Sequence, residues 1–127
     1  MRILLDTNGY TDFCRNDART VRTVRGAEAV FLPFVTVAEL RAGFRCGTVA
    51  TRNEAVLAEF MSAPCVRVLF ADEPTTRVYA ELFAQLRLQG TPIPTNDLWI
   101  AALAVQHNLT VCSRDAHFDH FPQIPRC

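Results

Sequence analysis

The chain is predicted to be an α/β protein, a three-layer sandwich around a largely parallel central sheet. Three observations predict this. Short apolar runs of strand type alternate with helically periodic segments through the whole sequence. Capping side chains, prolines and a terminal glycine or asparagine bracket the helical segments, so the two kinds of element do not merge. The length of 127 residues, with 50% hydrophobic and 20% charged side chains, is enough for one hydrophobic core. With no repeats and no low-complexity tract, a single domain over residues 1–127 is expected.

Arg2 to Leu5 (RILL) reads as the first strand, and Asp6, Thr7 and Asn8 then offer three helix-capping side chains in a row. Residues 10 to 25 carry Arg15, Arg19 and Arg22 at helical spacing. Val30 to Val35 (VFLPFV) reads as a second buried strand, in which Pro33 suggests an edge position or an early stop. Thr36 is placed to cap the next helix, VAELRAGF, with Glu39 in its first turn, where the helix dipole favours a carboxylate. Residues 51 to 62 form an amphipathic helix with Val56, Leu57 and Phe60 on one side, ending before Pro64. A short strand, Cys65 to Phe70, follows. Asp72 caps a helix from Glu73 to Gln89, which presents Val78, Leu82, Phe83 and Leu86 and stops at Gly90. Thr95 caps Asn96 to His107, apolar nearly all round and so expected to be buried, and Asn108 ends it. Leu109 to Cys112 is the fourth strand, Ser113 to Asp115 the turn after it, and the aromatic, proline-bearing tail holds no long element.

Composition narrows the setting. The N-terminal apolar run breaks at Asp6, too early for a signal-peptide core, and no run approaches the ~18 apolar residues of a membrane span. No membrane association and a cytoplasmic location are expected. The five cysteines (14, 46, 65, 112 and 127) are odd in number and lack a C-x-x-C pair, so they read as buried reduced thiols. A net charge of zero leaves no basic footprint over the whole chain, yet all 13 basic residues are arginine, whose planar fork grips phosphate. The absence of lysine excludes mechanisms that require one.

Four acidic residues, Asp6, Glu39, Asp97 and Asp115, lie far apart in sequence but each at the edge of an apolar segment. Parallel sheets bind ligands outside the C-terminal ends of their strands. Asp6 follows the first strand, Glu39 the second and Asp115 the fourth, while Asp97 reaches that edge only if the loop before its helix passes over it. Singly, each has an ordinary explanation: Asp6 and Asp97 as cap or dipole residues, Glu39 as the partner of a nearby arginine, Asp115 as a turn former. Together in one pocket they would repel at roughly 4 kcal/mol per pair, taking 4 Å and an effective dielectric of 20. Bound cations or protonation relieve such a cluster.

The segments ILLDTN, VAEL, NDLWIAALA and CSRDAHF together resemble the PIN-domain ribonucleases, and especially the VapC-like toxins of type II (VapBC) toxin-antitoxin pairs, over essentially the whole chain. Four acids in four motifs carry the family's site, and they map onto Asp6, Glu39, Asp97 and Asp115. Ser113 stands where the family usually shows threonine, keeping the hydroxyl, and Gly9-Tyr10 replaces a commoner apolar pair. The resemblance implies a metal-dependent endoribonuclease that hydrolyses RNA phosphodiesters, inhibits translation and is held in check by a cognate antitoxin protein. Oxygen donors without histidine or cysteine at matching positions suit Mg²⁺ or Mn²⁺ better than zinc. Asp6, Asp97 and Asp115 are the expected metal ligands, and Glu39 holds a second ion or orients the attacking water. Thr7, Asn8 and Ser113 are placed to position these carboxylates.

Arg41 and Arg45, just past Glu39, are the candidates for RNA phosphate contact, ahead of Arg15, Arg19 and Arg22. His117 and His120 are set aside as zinc ligands for want of further ligands at finger-like spacing. The apolar faces around Leu57 and Leu82 suggest a homodimer contact or an antitoxin groove. Two other readings compete: a catalytically silent RNA- or partner-binding module, and a Mg²⁺-dependent phosphatase or receiver domain. The second requires a lysine near the pocket, which this chain lacks.

Overall fold

A computed structural model describes residues 1–127. Four parallel strands, β1 (Arg2–Leu5), β2 (Ala29–Pro33), β3 (Val66–Leu69) and β4 (Thr110–Cys112), form one sheet in the order β3-β2-β1-β4. The register pairs Ile3 with Val30 and Thr110, and Val30 in turn with Val66. Strand pleat then sorts the side chains between two cores. Ile3, Leu5, Val30, Leu32 and Cys112 face helices α1 (Thr7–Cys14), α2 (Ala18–Gly26), α3 (Phe34–Cys46) and α4 (Ala50–Met61). Leu4, Phe31 and Val111 face α5 (Glu73–Gln89), α6 (Thr95–His107) and a 3₁₀ turn, Ala116–His120. Both faces of a parallel sheet are covered, as its crossover helices require.

Helices α5 and α6 form an antiparallel hairpin: Thr75 near the start of α5 donates to Gln106 at the end of α6, and Tyr79 stacks on Trp99 with ring centroids 4.3 Å apart. Asn108, in the left-handed conformation at φ 54°, ends α6 and turns the chain into β4. A helix feeding the start of a parallel strand must descend toward that strand's N-terminal end. The first turn of α6, with Asp97, therefore stands at the C-terminal edge of the sheet.

Several local expectations are corrected. Of the two readings that Pro33 allowed, the early stop holds and the edge position does not: β2 lies inside the sheet and ends at Pro33, and α3 begins at Phe34. Proline ends the ladder and sets φ −60° at the helix entry, so no cap is needed from Thr36. Thr36 is buried within the first turn, its hydroxyl donating to the Leu5 carbonyl at 3.3 Å, and Glu39 falls in the second turn. Pro94 enters α6 in the same way, with Thr95 already helical. Residues 10 to 25 are two helices, broken where Asn16 takes φ 61° and Asp17 caps α2 through the Thr20 N–H. The tail pairs as well: Val111 N–H donates to the Pro125 carbonyl, Cys127 N–H donates to the Val111 carbonyl, and Val111 bridges Arg126 in parallel.

The cysteine reading also changes. Cys14, Cys46 and Cys65 are exposed, whereas Cys112 and Cys127 form a disulfide with Cα atoms 4.9 Å apart, a spacing disulfides normally span. The bridge from the tail, invisible as periodicity, is what brings Cys127 to β4.

Candidate active site

Asp6 ends β1 and N-caps α1. Its Oδ1 accepts the Gly9 N–H at 2.8 Å and its Oδ2 accepts the Ser113 hydroxyl, so one carboxylate ties the first helix to the loop after β4. Gly9 has a steric reason: a Cβ there would lie 2.5 Å from the Cys112 carbonyl oxygen, a backbone atom that cannot step aside. Ser113 also accepts the Asp115 N–H at 2.9 Å, which places Asp115 in the same turn. Arg126 holds that turn from outside, donating to the carbonyls of Ser113 at 2.6 Å and Asp115 at 3.1 Å.

His117, on the 3₁₀ turn, sits among the acids. Its backbone N–H donates to Asp115 Oδ1 at 2.9 Å, and its Nδ1 lies 2.7 Å from Asp97 Oδ2 and 3.1 Å from Asp115 Oδ1. Thr7 donates to Glu39 Oε1 at 3.0 Å and so orients that carboxylate across from α1. Asn8 takes no part in these hydrogen bonds. The structure thus gathers Asp6, Asp97 and Asp115 at the C-terminal edge of the sheet, with Glu39 beside them. It adds His117, which sequence spacing had set aside. The available signal was its place two residues past Asp115, on a turn too short to carry it away.

Arg41 and Arg45 lie elsewhere, along the groove between α3 and α4 with Phe44 and Ala55. The Arg41 guanidinium is engaged there by Glu54, with N···O distances of 2.9 and 2.7 Å.

Electrostatics distinguish the cluster. Only 4% of Asp6 is exposed, and this burial pushes its carboxyl above the usual carboxylate range. The Ser113 and Gly9 hydrogen bonds oppose the rise, while the charges of Asp115 and Asp97 add to it. Asp97 is also raised, again chiefly by burial, with the His117 hydrogen bond opposing and Asp115 and Glu39 adding. Desolvation therefore outweighs mutual repulsion, the reverse of the emphasis four clustered charges invite. Just outside, Asp12 is held below the usual range by hydrogen bonding from Arg114 at 2.7 Å.

The donor set suits a divalent cation. Asp97, Asp115 and His117 each present one ligand atom, all within 4.8 Å of one another, and Asp6 lies within electrostatic reach of both acids. Carboxylate oxygens predominate, the chemistry of a hard ion that keeps part of its water. Such an ensemble can neutralise and position a phosphate group at a sheet edge.

Comparison with known proteins agrees with this geometry. The PIN domain family model matches residues 3–124. The chain is 35% identical to "Toxin FitB" of Neisseria gonorrhoeae, over 89% of this chain and 87% of that protein. It is also 35% identical to "VapC ribonuclease Y4jK" of Sinorhizobium fredii, over 89% of this chain and 86% of that protein. Among solved structures, FitAcB from Neisseria gonorrhoeae matches with a TM-score of 0.78 and 33% identity, covering 99% of this chain and 96% of that one. A family model spanning every strand from β1 to β4, with relatives this similar over most of their length, establishes that the chain belongs to the PIN-domain family, in its VapC-like group.

Proposed function

We propose that the protein is a divalent-metal-dependent endoribonuclease, the toxin of a toxin-antitoxin pair, which cuts RNA to inhibit translation. The convergence of Asp6, Asp97 and Asp115 at the C-terminal edge of the parallel sheet carries this reading. The toxin and ribonuclease names of its relatives support it. The working unit is one domain over residues 1–127.

Asp6, Asp97 and Asp115 would hold Mg²⁺ or Mn²⁺. When bound, the ion supplies positive charge for the phosphate oxygens and acidifies the attacking water. The remaining work falls to the protein. Glu39, oriented by Thr7, accepts a hydrogen bond from the attacking water and aligns it on the phosphorus. Ser113 keeps Asp6 facing the pocket and fixes Asp115 through its N–H. Arg45 and, once released by Glu54, Arg41 meet the RNA backbone along the groove beside α3.

A cognate antitoxin is the natural inhibitor, and a homodimer the natural assembly. The helix faces read from sequence divide between core and surface: Leu57, Leu82 and Leu86 are buried, while Val56 and Phe83 remain exposed for protein contact. No helix is long and apolar enough to cross a membrane, and the cytoplasm, where RNA is translated, is the site of action.

The test is cleavage of RNA by the purified protein. Activity should require Mg²⁺ or Mn²⁺, vanish in EDTA and return when the ion is restored. Undiminished cutting in chelator would overturn the metal-dependent reading.

A further inference from the structure

We propose that His117 is itself a ligand to the metal, so that the site binds Mn²⁺ through one imidazole nitrogen as well as carboxylates and prefers it to Mg²⁺. The proposal rests on the acid cluster being the metal site, as above, and adds a donor that the four-acid pattern does not contain.

The geometry carries it. An octahedral ion with ligands at 2.0–2.1 Å has neighbouring ligand atoms about 2.9 Å apart, the edge of the octahedron. The Nδ1 of His117 stands 2.7 Å from Asp97 Oδ2 and 3.1 Å from Asp115 Oδ1, two distances that bracket this edge length. Asp97 and Asp115 therefore already have the nitrogen at ligand-to-ligand distance, within a group whose atoms all lie inside 4.8 Å. The ring is also aimed there by the backbone. The 3₁₀ turn is capped by Asp115, which accepts the His117 N–H at 2.9 Å, so the residue that offers the second carboxylate also fixes where the imidazole begins. Without an ion Nδ1 bonds to Asp97, and a bound ion would draw on that nitrogen together with the Asp97 and Asp115 carboxylates.

The alternative is that the imidazole is only a counter-group to the two acids and must leave before an ion enters. The two cases predict opposite signs. A ligand that is removed weakens metal binding, whereas a competitor that is removed strengthens it. Nitrogen also discriminates among ions: Mg²⁺ takes oxygen donors and dehydrates reluctantly, while transition ions accept imidazole. The loss on removing His117 should therefore be large for Mn²⁺ and small for Mg²⁺.

The experiment uses the full chain, Mn²⁺ and Mg²⁺, and the variants His117→Ala, His120→Ala and Asp97→Asn. The His117 side chain is 41% exposed, so its truncation leaves no buried cavity and the fold persists. Calorimetric titration measures both affinities, and pulsed electron paramagnetic resonance of the Mn²⁺ complex reads coupling to ¹⁴N directly. The expected result is ¹⁴N coupling in the wild type and in His120→Ala, its loss in His117→Ala, and Mn²⁺ affinity roughly tenfold weaker in His117→Ala with Mg²⁺ nearly unchanged. Mn²⁺ that depends on Asp97 yet shows no ¹⁴N coupling, or that binds more tightly in His117→Ala, overturns the proposal while leaving the acid site intact. Absence of Mn²⁺ binding, or binding indifferent to Asp97→Asn, overturns the acid site and this proposal with it.

Discussion

Asp6 and Asp72 perform the same local task in two regions of the molecule. Each follows a strand and N-caps a helix, and each accepts the backbone N–H three residues on: Gly9 at 2.8 Å for Asp6, Thr75 at 3.2 Å for Asp72. Their chemistry diverges. Hydrogen bonds from Gln106 and then Thr75 hold Asp72 below the usual carboxylate range in a capping box at the surface. Asp6 carries a comparable set of donors, yet burial beside Asp97 and Asp115 overrides them and raises it. A capping aspartate whose surroundings favour its charge is explained by the helix it starts. One held against its ionisation is not, and it marks where to look for a ligand.

The largest contrast should be in catalysis. Asparagine caps a helix about as well as aspartate, so Asp6→Asn and Asp72→Asn both keep their helices. RNA cleavage should fall by about 100-fold or more in Asp6→Asn, the scale of losing one group that stabilises a transition state. Asp72→Asn should stay within about twofold of the wild type, as surface changes away from a site usually do. Single-turnover cleavage under saturating Mn²⁺ measures both, and equal losses would erase the distinction between the two caps.

A second contrast lies three residues further on. Thr75 completes the capping box of α5, and Thr75→Ala should cost about 1 kcal/mol, a typical cap loss. Its counterpart in α1 is Gly9, where even one methyl group would press on the Cys112 carbonyl at 2.5 Å. Gly9→Ala should therefore cost about 1–3 kcal/mol, as overpacking does. Urea denaturation of both variants tests the order, and a Gly9→Ala protein as stable as the wild type would show that β4 yields easily.

These positions also show how far the sequence reaches. Alternating runs foretold the order of strands and helices, and acids at the edges of those runs foretold that Asp6 and Asp115 would meet at one end of the sheet. Local readings failed where a single residue answers to a tertiary neighbour. Thr36, read as a helix cap, instead lies buried in the first turn of α3 and donates to the Leu5 carbonyl, 31 residues away. The nearness of His117 to Asp115 was legible in their spacing, but its contact with Asp97, 20 residues away, was not, because the ring direction comes from a turn without periodicity. Cys127 pairs with Cys112 through a tail that bonds to β4 at only a few points.

The pH dependence of stability should differ in sign between the two caps. The carboxyl of Asp6 is raised in the folded protein above its ordinary value of 3.8, so its contribution is fully present below that pH and is lost as pH rises through the folded value. Asp6→Asn should then be more stable than the metal-free wild type at neutral pH, the gap closing toward acid. Asp72 is lowered from the same 3.8, so it stabilises above that pH and the benefit is lost as pH falls through its folded value. Asp72→Asn should be less stable at neutral pH, with its gap also closing in acid. Thermal melts of the metal-free proteins at pH 7 and about pH 4 distinguish the two, and gaps of the same sign would mean that burial of Asp6 is relieved by water.

The smallest effect is the most specific. Ser113 gives Asp6 its strongest opposing hydrogen bond, and Gln106 gives Asp72 its strongest supporting one. Removing either donor takes a stabilising contact from an ionised carboxylate, so both Ser113→Ala and Gln106→Ala should move their aspartate upward. They start from opposite sides of 3.8: Asp72 should approach that value from below, whereas Asp6 should move further above it. Ser113→Thr keeps the hydroxyl and should leave Asp6 in place, which separates the hydrogen bond from any change in packing. Carbon-detected NMR titration of the metal-free proteins follows each carboxyl directly. If Asp6 holds still in Ser113→Ala while Asp72 moves in Gln106→Ala, burial alone governs the first cap. Ser113 would then serve to place Asp115, through the N–H it accepts at 2.9 Å, rather than to hold a charge on Asp6.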